Sequence, residues 1–212
     1  MSARPSREEQ RDRLLEAALA HVPFDGWSRR SLVAAAADVD IDQGLARRLF
    51  PRGGDDLLAH LERWADRRML AQIDTEELQT LRVRERIARL VRARLEVLTP
   101  HREALRRATA ARLLPGNALT ATASLWRTVD LMWAVAGDRA NDFSYYTKRS
   151  LLAAVWSSTF LFWLDDRSEG LEATWGFLER RIDNVMQIGS LRARIEDRLK
   201  ALGRLNPLAA RR

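Results

Sequence analysis

Residues 128–166 constrain this chain more than any other stretch. They read TVDLMWAVAGDRANDFSYYTKRSLLAAVWSSTFLFWLDD. One helix is expected to close on Met132 and Trp133 and to stop at Gly137-Asp138. A polar turn, Arg139–Asp142, follows. Phe143, Tyr145 and Tyr146 then open a second helix, whose later run Leu151–Leu164 is apolar on every side. A soluble helix that is apolar all round has to be enclosed by other helices. The stretch is therefore expected to be the centre of the fold, with aromatic residues and a charged turn at its mouth.

What surrounds that centre should also be helical. Strand-like alternation is nearly absent, and 10 Gly and 6 Pro are few for 212 residues. With 46% hydrophobic residues, a packed all-α protein is expected and disorder is not. The chain has no cysteine, which excludes disulfides and thiolate metal sites. The Leu151–Leu164 run is short of the roughly 20 residues that cross a bilayer, and Lys148 and Arg149 block its extension backward. The first twenty residues mix Arg with acidic residues and hold no apolar signal core. These features lead us to expect a cytoplasmic protein without a spanning helix.

Along the chain, Ser6-Arg-Glu-Glu9 has the spacing of a capping box. Leu14, Leu15, Ala18 and Leu19 continue a helical face until Pro23. Ser28 is placed to cap a short helix over about Arg29–Ala37, Asp42 a third helix ending near Phe50, and Asp55 a fourth carrying Leu57, Leu58, Leu61, Trp64 and Leu70. Further helices are expected near Thr80–Leu98, from Pro100 to Leu114, over Leu119–Trp133, and along the stripe Leu171, Trp175, Leu178, Ile182 and Val185. After Gly189-Ser190, the residues Leu191, Ile195, Leu199, Leu202 and Leu205 recur at spacings of three and four. Arg192, Arg194, Arg198, Lys200 and Arg204 occupy other positions. This is a basic amphipathic helix, suited to a membrane surface or to docking on its own bundle or a second copy.

The net charge of +7 is uneven: ten Arg stand against three Glu between Arg82 and Arg112. Basic patches attract the phosphates of nucleic acid or of anionic lipid, and solvated helix faces also carry such charge. Residues that would carry catalysis do not cluster. His21, His60 and His101 fall on different expected helices. No paired Glu-x-x-His, His-Glu-x-x-His, phosphate loop or nucleophile elbow occurs. Asp165 and Asp166 are adjacent and read as ordinary loop carboxylates. No metal site and no enzyme is expected.

The order Gly26-Trp27-Ser28, Leu32, Ala35-Ala36, Val39, Ile41, Leu45, Leu49-Phe50, Leu57 resembles the helix-turn-helix module of TetR-type regulators. That resemblance implies a ligand-responsive transcriptional regulator as one reading. Asp38, Asp40 and Asp42 at the turn and helix start speak against it, because they would face DNA phosphates. The regulators usually have an aromatic residue within the recognition helix and a Lys at the start of the next. Leu45–Arg48 and Gly53-Gly54 stand there instead. Arg47 and Arg48 remain available to touch a backbone.

A second set is more specific. Met132-Trp133, Ala136-Gly-Asp138, Asp142-Phe143, Tyr146-Thr-Lys-Arg149, Leu152-Ala-Ala-Val155, Thr174-Trp-Gly-Phe-Leu178, Glu179-Arg-Arg-Ile182 and Asn184-Val-Met186, with Phe24-Asp-Gly-Trp27 upstream, resemble the ubiquinone (coenzyme Q) biosynthesis accessory protein family of Coq-nine type. This resemblance covers essentially the whole chain. It implies an all-α, TetR-like fold that has lost DNA binding. Its expected parts are a helix-turn-helix-type three-helix module (1–54), a larger helical bundle with an apolar cavity (55–189), and a C-terminal amphipathic helix (190–212) on the membrane.

It further implies a non-enzymatic, homodimeric lipid-binding protein. Such a protein would be peripheral at the inner face of the membrane and would take no cofactor. Its ligand would be an isoprenoid lipid, ubiquinone or a precursor, presented to the demethoxyubiquinone hydroxylase, a di-iron enzyme. Candidate lipid-lining residues are Leu125, Val129, Met132, Trp133, Val155, Trp156, Phe160, Trp163, Trp175 and Phe177, each of which would equally fit plain core packing. The resemblance places partner docking at Met132, Asp142, Tyr145 and Tyr146. It places membrane contact at Leu191, Arg194, Ile195, Arg198, Leu199, Leu202 and Leu205. Many family members have Trp at the position of Tyr145.

Overall fold

In a computed structural model of the chain, the described residues are 5–112, 118–137 and 143–187, and every regular element among them is helical. The chain divides into two compact units, Met1–Ala153 and Ala154–Arg212. The division falls within a helix and does not coincide with the expected segments: the 1–54 module shares its unit with most of the bundle.

In the first unit, α1 (Arg7–Asp25), α2 (Arg29–Asp38) and α3 (Gln43–Leu49) form the three-helix module. Their caps are those expected. The Ser6 hydroxyl accepts from the Glu9 amide at 3.2 Å, and the Glu9 carboxylate accepts from the Ser6 amide at 2.6 Å. Ser28 Oγ accepts from the amides of Arg30 and Ser31, and Asp42 Oδ1 from that of Leu45 at 2.9 Å. Each cap satisfies amides that the first helical turn leaves open. α1 does not stop at Pro23 but carries it inside the helix and ends at Asp25, where Gly26 takes φ 69°.

α4 (Gly54–Ala71) begins differently from expectation. Asp55 lies in its first turn, and the capping residue is Gly53, with φ 62°. A Cβ on Gly54 would lie 2.0 Å from the carbonyl oxygen of Trp27. The backbones of two elements meet there, and only glycine fits. The helix expected near Thr80–Leu98 is α6 (Val83–Leu98), and a short helix not foreseen from sequence, α5 (Thr75–Thr80), capped by Asp74, precedes it. A 3-10 turn, Thr99–His101, leads into α7 (Arg102–Arg112).

The core of this unit includes the apolar positions Leu14, Leu15, Ala18 and Leu19 of α1, Leu32 of α2, Leu57 and Leu61 of α4, and Leu90, Val91 and Leu95 of α6, all buried. α1 packs on α2, α4 and α7. Trp27 ties the module to the bundle by donating Nε1–H to the Ala104 carbonyl of α7 at 2.8 Å.

α8 (Ala118–Val135) packs on α4 and α6. Gly137, at φ 89°, ends it. Its open carbonyls are closed from outside the helix: Gln79 donates to Val135 O and Arg86 to Ala136 O, both at 2.9 Å. A guanidinium at a helix C-terminus also opposes the negative end of the helix dipole. Inside the contact of α4, α6 and α8, Arg94 is fully buried. It donates Nε–H to Asp66 at 2.9 Å and a terminal N–H to Glu62 at 2.6 Å, and Thr128 donates to Asp66 at 3.2 Å. Burial works against the Arg94 charge, but Glu62 and Asp66 outweigh it and hold its pKa above the ordinary value.

α9 (Phe143–Asp165) crosses from the first unit into the second, where a 3-10 turn, Glu169–Leu171, leads to α10 (172–187). The expectation that Leu151–Leu164 is enclosed on all sides is corrected. Leu152, Val155, Trp156, Trp163 and Leu164 are buried, but Leu161 is 54% and Phe162 37% exposed. Among the described residues, nothing fully covers Leu161 or Phe162.

Candidate functional site

The first unit holds a cluster on the facing ends of α8 and α9. Asp130 of α8 accepts from the Tyr145 hydroxyl at 2.9 Å and from Arg149 Nε–H at 2.5 Å. The Arg149 guanidinium lies over the Tyr145 ring, 3.4 Å from its centroid, within the range of a cation–π contact. Four-residue spacing on α9 puts Tyr145 and Arg149 on one face, so one carboxylate engages both. Tyr146 is set edge-on to Tyr145 at 5.1 Å, reaches toward Trp126 at 6.3 Å, and is 63% exposed. Beside them, Trp133 donates Nε1–H to the Lys148 carbonyl at 3.1 Å.

The protonation consequences follow from these bonds. The Arg149 hydrogen bond, helped by that from Tyr145, holds the Asp130 carboxyl below its ordinary range. The same carboxylate raises the Tyr145 phenol above 10, since the bond it donates is lost on ionisation. The hydroxyl that distinguishes Tyr145 from a Trp thus has a defined task, which the sequence did not show. The spacing from Asp130 to Tyr145 crosses a turn, so helical periodicity could not pair them.

The ten candidate lining residues fall into two sets. Leu125, Val129, Met132 and Trp133 lie in the first unit, with Val129 and Met132 fully buried and the other two half-buried. Burial of Met132 removes it from the surface expected to meet a partner; it lies within the hydrophobic core of its unit. Val155, Trp156, Phe160, Trp163, Trp175 and Phe177 lie in the second unit. There Trp156 stacks on Phe160 at 5.8 Å, Phe160 meets Trp163 at 5.6 Å, and Phe162 stacks on Phe177 at 4.5 Å. Thr159, on the same helical face as Val155, Trp156 and Trp163, is fully buried. Its hydroxyl has no hydrogen-bond partner among the described residues.

The Thr174-Trp-Gly-Phe-Leu178 motif has a visible structural role. Asp166 Oδ2 accepts from both the amide and the hydroxyl of Thr174, at 2.9 and 2.5 Å, and its Oδ1 accepts from the Ser168 amide at 2.8 Å. Burial opposes the Asp166 charge, yet these bonds from Thr174 and Ser168 prevail and hold it at about 2. Asp166 is therefore no ordinary loop carboxylate: it fixes the turn between α9 and α10. Trp175 closes the same turn by donating to Gly170 O at 2.8 Å.

The histidines are engaged locally. His21 bonds Asp38 at 2.6 Å, His60 bonds Asp12 at 2.7 Å, and His101 is set edge-on to Trp64. Burial lowers the pKa of His60 and of His101. Glu8, Asp12 and His60 bring three ligand atoms within 4.8 Å of one another, a grouping not foreseen from sequence. The Arg67 guanidinium already bridges Glu8 and Asp12 at 2.7 and 2.6 Å. No helix among the described residues is long and apolar enough to cross a membrane. Asp142, and the membrane candidates Leu191, Arg194, Ile195, Arg198, Leu199, Leu202 and Leu205, lie outside the described residues.

Comparison with known proteins agrees with the motif reading. The family model described as COQ9 matches residues 118–189, which span both clusters. The human mitochondrial ubiquinone biosynthesis protein COQ9 is 31% identical over 204 residues, 93% of this chain and 64% of that protein. COQ9-B of Xenopus laevis is 35% identical over 194 residues, 87% of this chain and 65% of that protein. The fission yeast (Schizosaccharomyces pombe) protein is 29% identical over 182 residues, covering 84% and 71%. The chain thus spans slightly less than two thirds of the human protein's length. Among solved structures, a TetR transcriptional regulator from Nitrosomonas europaea superposes with a TM-score of 0.69 at 24% identity, covering 84% of this chain and 98% of that one. That likeness establishes a TetR-like all-α fold. Motifs, family model and relatives along most of the chain converge on one family, COQ9, which this chain resembles.

Proposed function

We propose that this protein is a non-enzymatic, lipid-binding accessory factor of ubiquinone biosynthesis. It binds isoprenoid quinone precursors at the membrane surface and presents them to the demethoxyubiquinone hydroxylase. The observation that carries this reading is the match to relatives named for ubiquinone biosynthesis, which includes the whole α8–α10 region where the aromatic clusters lie. The physical chemistry supports it. A polyprenyl chain gains about 0.8 kcal/mol for each CH₂ it buries, so the Trp and Phe side chains of the second unit offer it a competitive alternative to a bilayer. Thr159, buried among aromatic residues without a partner for its hydroxyl, would donate to a quinone carbonyl.

In this reading Tyr145 and Tyr146 form the partner-docking face. Asp130 and Arg149 hold Tyr145 in place, so little side-chain freedom remains to be lost on docking. The exposed apolar residues Leu161, Phe162 and Met186 suit a homodimer contact through the second unit. The segment 190–212 anchors the protein on anionic membrane. Lipid extraction from the purified protein followed by mass spectrometry tests the central claim. Isoprenoid quinones or their precursors are expected; an empty protein with no affinity for added quinone overturns it. Deleting residues 190–212 is expected to weaken binding to anionic liposomes, and unchanged binding removes the membrane role of that segment.

A further inference from the structure

A second feature lies outside α8–α10 and is independent of the lipid reading. A cleft of about 420 Å³ opens between the start of α1 and the α3–α4 corner, lined by Arg7, Arg11, Leu49, Pro51, Arg52, Asp56, Ala59 and Arg63. Four guanidinium groups share it with one carboxylate. That carboxylate is engaged. Asp56 accepts from the Arg52 amide at 2.8 Å through Oδ2 and from Arg52 Nε–H at 2.9 Å through Oδ1. Arg7, Arg11 and Arg63 have no carboxylate within ion-pair distance among the described residues.

The three are held in place by their elements. Arg7 and Arg11 are one turn apart on α1. Asp56, Ala59 and Arg63 recur at helical spacing on α4, so both rows face the cleft. The small Ala59 and the buried Leu49 leave room between them. Arg11 is half-buried, with its guanidinium 4.7 Å over the Phe50 ring and its Nε–H enclosed without an acceptor. Burial, then the field of Arg63, lowers its pKa from the ordinary value. A folded chain gathers like charges around an unfilled donor only at a net electrostatic cost. An anion in the cleft removes that cost.

We infer that this cleft is a binding site for a phosphate group, a phosphomonoester or diphosphate. Three guanidinium groups without an ion-paired carboxylate fit a dianion or more highly charged group better than a single carboxylate, and guanidinium forks match phosphate oxygens two at a time. The shape favours one recessed phosphate over duplex DNA, whose phosphates are met as a row along an exposed surface. Two sources share this chemistry, a soluble phosphate compound and the headgroup of a phosphatidic-acid-type lipid.

Calorimetric titration of the full chain with inorganic pyrophosphate tests the site, beside the variants Arg11→Gln and Arg63→Gln. The wild type is expected to bind with one-to-one stoichiometry and to melt at higher temperature when loaded. Each variant is expected to lose affinity by about tenfold or more. Without ligand, Arg63→Gln is expected to melt no lower than wild type, because it relieves repulsion. That separates the inference from a merely structural role. Vesicles of phosphatidylcholine with either phosphatidic acid or phosphatidylglycerol distinguish the sources. A preference for phosphatidic acid that both variants lose identifies the lipid, and pyrophosphate binding without such a preference identifies the soluble compound. Absence of both pyrophosphate binding and vesicle preference overturns the inference. So does undiminished binding by the variants, or a defect confined to duplex DNA.

Discussion

The hydroxyl of Tyr145 lies 2.9 Å from Asp130 Oδ1, joining the start of α9 to α8 beneath a stacked guanidinium. The bond requires a protonated phenol and an ionised carboxylate. It therefore contributes stability over a bounded range of pH. Because the folded Tyr145 pKa is raised, its contribution is present below about 10 and is lost as pH rises through the raised value. Because the folded Asp130 pKa is lowered, its contribution is present above the ordinary carboxylate range and is lost as pH falls through the lowered value. The chain has two tyrosines, so ultraviolet titration resolves them. Asp130→Asn is expected to bring the later phenol down toward its ordinary value, and an unmoved titration contradicts the assigned bond.

The Arg94–Asp66–Glu62 network makes a different prediction, because it is buried. Asp66→Ala takes from the buried Arg94 guanidinium one of its two carboxylate partners. It is expected to lower the unfolding free energy by about 3–5 kcal/mol. Urea denaturation of Arg94→Met, Asp66→Ala and the double variant should show strong non-additivity, since Thr128 and Arg94 share the Asp66 carboxylate. Additive losses would mean that the three side chains do not act as one unit.

Asp166 offers a test in acid. Its folded pKa is held at about 2, so its contribution to stability is complete above its unfolded value near 3.9 and disappears as pH falls toward 2. Thr174→Val removes the 2.5 Å hydroxyl bond but keeps the amide bond. It is expected to raise the Asp166 pKa and shift acid unfolding to higher pH. Carboxyl NMR titration of the two proteins checks this, and identical titrations would exclude the hydroxyl as a cause.

At the glycine pair that starts α4, two substitutions should behave differently. Gly53→Ala places a side chain at φ 62° with 3.4 Å to the nearest atom, a penalty of roughly 1–2 kcal/mol. Gly54→Ala meets a carbonyl oxygen at 2.0 Å and forces the backbones apart. Its loss is expected to exceed that of Gly53→Ala and to reach roughly 3 kcal/mol or more. Thermal melts of both variants decide the order.

Much of this molecule was legible in short-range pattern. The caps at Ser6, Ser28 and Asp42 follow from side chains that reach amides two or three residues away, a distance the sequence displays directly. Core positions such as Leu14, Leu57 and Leu90 follow from helical periodicity. The family motifs read from the sequence fall mostly on α8–α10. The start of α4 went astray for a reason that is not local. Asp55 has the chemistry of a cap, but the approach of Trp27 to Gly54, 27 positions away in sequence, decided where α4 begins.

The site divides in the same way. The sequence by itself determined that aromatic residues gather at the start of α9, that the chain is helical, and that Thr174–Leu178 matters. Only tertiary structure decided what these residues do: Tyr145 with Asp130 and Arg149, Thr174 with Asp166, Met132 inside the core and away from the surface. It also decided that Arg7, Arg11 and Arg63, scattered over two helices, face one cleft. Helical spacing reports which residues share a face, because the period is local. Which faces meet depends on packing between helices distant in sequence, and that is settled only when the whole core closes.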